Sequence, residues 1–224
     1  MTSPSHSNLP SFAELLSALA ADDPSLRLRA AMMAGTYPDE RLLGPLIDRC
    51  GVEPDFYVRD MQTWALIQLP RAVTVPSLKG ELESEFAQAR SQALHTLSKI
   101  VVPEAWPWIF PGLLQDEDDE VARAAWRVAV GIVPRGSETA LLDALLGQLG
   151  RGDLEVKRSL ARALVDLAVI CEQVEPILTQ AARIRSPEAA AHAHAVLRLV
   201  RDPGASFPVL LEQARRRVLW APPD

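Results

Sequence analysis

The sequence predicts an all-α fold, an α-solenoid of about six helical hairpins closed by a single C-terminal helix. Three observations predict it. Apolar residues recur three and four positions apart, without the period-two alternation of strands. Several columns of residues return together at intervals of 31 to 35 positions. The 18 prolines, each of which would cost a helix interior roughly 3 kcal/mol, fall where the same period places helix ends or kinks.

The period is set by the pairs Leu26-Arg27, Val58-Arg59, Ala89-Arg90, Val121-Ala122, Val156-Lys157 and Ala189-Ala190. Taking the second member of each as an anchor, three positions later stand Ala30, Gln62, Ala93, Ala125, Leu160 and Ala193. Six and seven positions later stand Met33-Ala34, Ala65-Leu66, Thr96-Leu97, Val128-Ala129, Ala163-Leu164 and Val196-Leu197, which completes one buried stripe on a helix. Four positions before the anchor, Asp23, Asp55, Asp118 and Asp153 are placed to cap the oncoming helix and to meet its dipole. Phe86 and Ser186 fill that slot in the third and sixth units.

The elements follow in order. Ser11 and Glu14 fit a capping box, so the first helix starts at 12. First helices of the hairpins are expected near 12–21, 40–51, 72–84, 104–115, 137–149, 172–184 and 205–219, with Pro45, Pro76 and Pro176 near the middle of theirs. Second helices are expected near 25–36, 57–69, 87–101, 120–132, 154–168 and 187–200, stopped by Pro38, Pro70, Pro103, Pro134 and Pro203. A lone hairpin cannot bury its own stripe, so the hairpins stack as one domain over 12–219, between a disordered lead-in at 1–11 and a tail at 220–224.

A first helix with a Pro, an acidic turn, and a second helix opening on Asp, Val and Arg resemble the HEAT repeat. The resemblance covers residues 12–219, and it departs from the pattern where the third and sixth units lack the Asp and the fourth and sixth lack the basic anchor. It implies a right-handed superhelix whose second helices line the concave side. It also implies that Arg27, Arg59, Arg90 and Lys157 tie the acidic turn of their own or the next repeat.

Composition sets the outer bounds. Hydrophobic residues make up 48% of the 224, enough for a substantial core, and no run approaches the length of a membrane span. Met1–Ser11 lacks the basic start and apolar stretch of a signal peptide, which points to the cytoplasm. Cys50 and Cys171 are read as buried, reduced thiols. The net charge of −6 conceals a segregation: the second helices with their flanking residues, 24–36, 56–69, 86–102, 120–133, 154–168 and 187–201, carry twelve basic and five acidic residues, an excess of +7 that leaves −13 for everything else.

On a helix buried at anchor plus three, six and seven, the opposite face holds plus one, five and eight. The candidate binding face is therefore Asp60, Trp64, His95, Lys99, Arg123, Arg127, Arg158, Arg162 and Arg198. Arginines with one aromatic suit carboxylate or phosphate groups and a stacked ring. Plainer readings apply elsewhere. The run Asp116–Glu120 is an acidic helix start, and His192 and His194 point to different sides of a helix. Trp106, Trp108 and Phe110 are packing residues, and Arg215–Arg217 is a solvated face. No nucleophile elbow, phosphate loop, dinucleotide fingerprint or zinc-protease motif occurs, and no cofactor or metal is expected. The leading expectation is a non-enzymatic scaffold holding an acidic or extended segment of a partner protein. The alternatives are a nucleic-acid-binding or alkylation-repair-like protein, and a regulatory or stabilising subunit of a neighbouring enzyme.

Overall fold

A computed structural model describes residues 10–184 and 186–219, so the tail at 220–224 and the lead-in before Pro10 lie outside the described residues. Among the described residues the fold is all-helical, with thirteen α-helices and no strand. No described helix is long and apolar enough to cross a membrane. The chain divides into two compact units, 1–100 and 101–224.

The N-terminal unit contains α1 (Phe12–Leu19), α2 (Pro24–Thr36), α3 (Leu43–Val52), α4 (Phe56–Gln68), α5 (Arg71–Glu81) and α6 (Ala87–Ile100). The C-terminal unit contains α7 (Trp106–Ile109), α8 (Asp119–Ile132), α9 (Glu138–Leu146), α10 (Leu154–Ala168), α11 (Val174–Ile184), α12 (Pro187–Arg201) and α13 (Phe207–Leu219). The even-numbered helices α2 to α12 are the expected second helices, within one residue at each end. Their starts are fixed chemically. Asp23 accepts from the Ser25 N–H, and Asp55, Asp118 and Asp153 each accept from two backbone N–H groups of the following turn. Ser11 and Glu14 form the full capping box on α1. The stripe is buried as the period requires: of the residues at anchor plus six and seven, all but Met33 are buried.

The first helices depart more. The single helix expected at 104–115 is broken into a 3-10 turn at Pro103–Ala105, the one-turn α7, and a second 3-10 turn at Gly112–Gln115. Phe110 is extended (ψ 135°) ahead of Pro111, the conformation a residue before proline prefers, so the ladder stops there. Trp126 of α8 fills the space behind the break, fully buried, and its indole N–H donates to the Leu114 carbonyl at 2.9 Å. Trp106 and Phe110 stack on each other, with ring centroids 4.6 Å apart. Among the described residues a mid-helix proline occurs only in α5, at Pro76. Pro45 and Pro176 instead sit in the first turn of their helices, where the missing N–H has no partner to lose.

The basic anchors turn back onto the loop that precedes their own helix. Arg27 Nη1 donates to the carbonyls of Ala21 and Asp22, Arg59 Nη1 to those of Glu53 and Pro54, Arg90 Nη1 to that of Ser84, and Lys157 Nζ to that of Gly152. Arg27 also grips the next turn, pairing through Nε and Nη2 with both oxygens of the fully buried Glu53 at 2.7 Å each. In the fourth unit the anchor is Ala122, and the corresponding carbonyls of Asp116 and Glu117 are taken by Arg151, reaching back from the following turn. Its Nε meets Asp119 at 2.8 Å. Both cysteines are buried free thiols, and burial pushes Cys50 up to about 12, so it is inert as a nucleophile.

Candidate binding face

In the N-terminal unit, α4 and α6 bring part of the expected row together. Asp60 and Trp64 lie one turn apart on α4, and the Asp60 carboxylate is 3.9 Å from Nε2 of His95 on α6. Lys99 is exposed one turn beyond His95. Trp64 is 37% exposed. The rest of its ring lies on Gly35 of α2, where a Cβ would stand 2.1 Å from Cζ3, so the indole is seated on a helix surface that glycine alone leaves bare. Gly35→Ala should therefore unseat the ring and cost about 1–3 kcal/mol through overpacking, while Gly35→Ala in a Trp64→Leu background should cost less than 1 kcal/mol. Urea unfolding of both pairs measures this, and equal losses in the two backgrounds would contradict the seating.

In the C-terminal unit, α8 and α10 carry the arginines on one shared face. Arg123 donates from Nε to the Ser159 hydroxyl across the two helices at 2.9 Å, and its Nη1 pairs with Glu120. Arg158 pairs with Glu155 one turn before it. Arg127 and Arg162 sit one turn further along, both exposed, and among the described residues neither is paired with a carboxylate. Arg158 and Arg162 also line a depression of about 390 Å³ that runs to Phe207 at the start of α13, with Asp166 on its rim and Leu199 in its wall. The arrangement offers guanidinium groups with free donors beside an apolar floor, which suits carboxylate groups on a chain that also carries apolar side chains.

Arg198 does not join them. It donates to the Gln213 side chain of α13 and lines a different cleft of about 570 Å³ between α12 and α13, with Arg201 and Arg217. The expected face is also closed on α12: Ala191 and Ala195, at plus one and plus five, are buried. The reason is the last helix. An alanine-rich α12 lets α13 pack close along it, which covers the side that α8 and α10 leave open. Ser91, at plus one on α6, is buried as well.

Two histidine positions differ sharply. His194 is half-buried in the larger cleft, and burial together with Arg217 lowers its pKa. His192 is fully buried, with Nδ1 accepting from the Gly150 N–H at 3.1 Å and Nε2 3.0 Å from the Lys157 carbonyl, to which it must donate. The acidic run is spent locally: Asp118 caps α8, Asp119 holds Arg151 and Glu120 holds Arg123. Arg215 pairs with Glu188 and Arg216 with Glu212. Arg151 and the contribution of α13 to the depression were not among the sequence-derived site residues.

No family model matches the chain, and no curated protein matches it. Two solved structures of engineered proteins are similar to it. One is 17% identical, covering 86% of this chain and 99% of that one, with a TM-score of 0.46. The other is 21% identical, covering 85% and 96%, with a TM-score of 0.44.

Proposed function

We propose that the chain is a non-enzymatic interaction scaffold of the HEAT type, a right-handed solenoid of about six hairpins over 12–219 closed by α13. Its second helices take an acidic or extended segment of a partner protein. The setting is cytoplasmic, where Cys50 and Cys171 stay reduced. The observation that carries the reading is the exposed pair Arg127 and Arg162 on neighbouring helices, neither of them in an ion pair with a carboxylate among the described residues. Arginines with unused donors favour planar carboxylates, held in a two-pronged grip. The depression beside Arg158 and Arg162 would receive an apolar side chain of the same segment.

The test uses a fluorescein-labelled oligoglutamate peptide interspersed with leucine, followed by anisotropy. Wild-type protein is expected to bind it. The double change Arg127→Glu and Arg162→Glu should weaken binding by about a hundredfold or more, since two favourable contacts become two repulsive ones. Melting should be unchanged, because neither side chain holds a partner in the fold. Equal binding by the double variant would end the proposal. A 15-base-pair duplex serves as the second probe: tight binding at ~50 mM salt that falls steeply as salt rises would move the assignment to a nucleic-acid backbone.

A further inference from the structure

The turns that lead into α2, α4 and α6 share an unusual make-up. Residues 20–26, 51–57 and 82–88 hold six acidic side chains and no basic one. Interspersed with them are large apolar side chains that the fold leaves uncovered: Val52, Phe56, Tyr57 and Phe86 are 60%, 65%, 73% and 70% exposed. Phe56 and Tyr57 meet edge to face, with ring centroids 5.6 Å apart, so each covers part of the other and little else.

These turns are fastened side by side, and Glu53 is the fastening point. Arg27 from the first hairpin grips its carboxylate. The Gln88 side chain, two residues past Phe86, donates to the Glu53 and Cys50 carbonyls at 2.9 Å each. The second and third turns, which carry Val52, Phe56, Tyr57 and Phe86, are therefore neighbours. The nearby cations are directed inward: Arg27 and Arg49 serve the buried Glu53, while Arg59 and Arg90 donate to turn carbonyls. Asp22, Asp23, Glu83 and Glu85 remain exposed on the first and third of these turns.

A clustered apolar patch rimmed by charge of one sign marks an interaction surface. Its charge also selects the partner. We infer that the edge formed by these turns docks a short segment of a partner protein in which Lys or Arg alternate with apolar residues. The apolar side chains cover Val52 and Phe86, the cations reach the carboxylate rim, and one cation lies over the exposed faces of Phe56 and Tyr57. The edge is chemically opposite to the arginine face of α8 and α10 and does not depend on it.

Random dodecapeptides displayed on phage, panned on the whole chain and counter-selected on the triple variant Phe56→Ser, Tyr57→Ser, Phe86→Ser, test this directly. The three side chains are exposed, so the variant should keep its helical content and melting temperature. Enriched peptides should be net positive with interleaved apolar residues, and a synthetic representative should bind wild type at least about tenfold tighter than the variant. Arg127→Glu with Arg162→Glu should bind that peptide as wild type does, which separates this edge from the α8–α10 face. Enrichment of neutral or acidic peptides, or equal affinity for wild type and the triple variant, would overturn the inference. So would a dimer of the wild type that the triple variant loses, since the occupant would then be a second copy of the chain.

Discussion

Glu53→Gln should destabilise the N-terminal unit by about 3–5 kcal/mol, the usual cost of removing one partner from a buried ion pair. Glu53 is fully buried and Arg27 nearly so. Burial opposes the charge on Glu53, but hydrogen bonds from Arg27, the Asp55 N–H and Arg49 outweigh it and hold the carboxyl below the usual carboxylate range. The amide replaces the carboxylate without changing its shape, so the loss reports charge and hydrogen bonding rather than a cavity. Arg27 would then keep its grip on Ala21 and Asp22 while its Nε and Nη2 faced a single neutral oxygen. The check is a double-mutant cycle in urea with Arg27→Met. The double variant should lose less than the sum of the singles by at least about 2 kcal/mol, because removing both charges leaves no orphan. A coupling within about 0.5 kcal/mol of zero would show that the pair does not hold the first two hairpins together.

That pair also shows what the sequence can and cannot disclose. The second helices were legible to within a residue because a stripe that must be buried marks all six, and at four of them an Asp whose side chain caps the first turn coincides with it. The first helices were less legible, since proline placement alone does not say whether the chain continues past it. At Pro76 the helix continues, and at Pro111 it stops. Within the candidate face, Asp60 with His95 and Arg123 with α10 could be placed together from the period, because neighbouring helices share a phase. Arg198 could not, because whether a face is open depends on what packs over it, and α13 lies outside the hairpin pattern.

The missed Arg151 had a signal in the aligned turns. Six positions before the second and fifth anchors stand Glu53 and Arg151. Where the preceding anchor is the cation Arg27, that slot is an acid; where it is Ala122, the slot supplies the cation itself. A position that changes sign with its neighbour's anchor is a clamp between turns. Reading the anchors alone, without the slot that answers them, hides it.

Acid should destabilise the C-terminal unit from near neutrality downward, through His192. Burial is the main cause that lowers its pKa to about 4. The hydrogen bond to the Lys157 carbonyl works against that, the charge of Lys157 with it, Glu188 against it and Arg215 with it. The ring bridges three elements: the turn at Gly150, α10 and α12. Gly150 is held at φ +87°, a conformation that suits glycine, and that places its N–H against Nδ1. A proton on Nδ1 would replace this acceptor with a second donor and break the bridge. The sign follows from linkage. The unfolded chain takes up the proton near the ordinary value of 6.5 and the folded chain resists until about 4. The stabilisation is thus whole above 6.5 and is lost at about 1.4 kcal/mol per pH unit as the pH falls toward 4, a total on the order of 3 kcal/mol. Urea unfolding between pH 7 and 5.5 stays above the range in which ordinary carboxylates titrate, so the slope there reports the histidines, and the His192 variant separates His192 from His194, whose pKa burial also lowers. His192→Gln keeps a donor and an acceptor but cannot gain a proton. It should start roughly 1–3 kcal/mol less stable at pH 7, through imperfect replacement of two buried hydrogen bonds, and then lose less than half as much as wild type on acidification. Parallel pH profiles for the two proteins would mean that this imidazole does not set the acid limit of the fold.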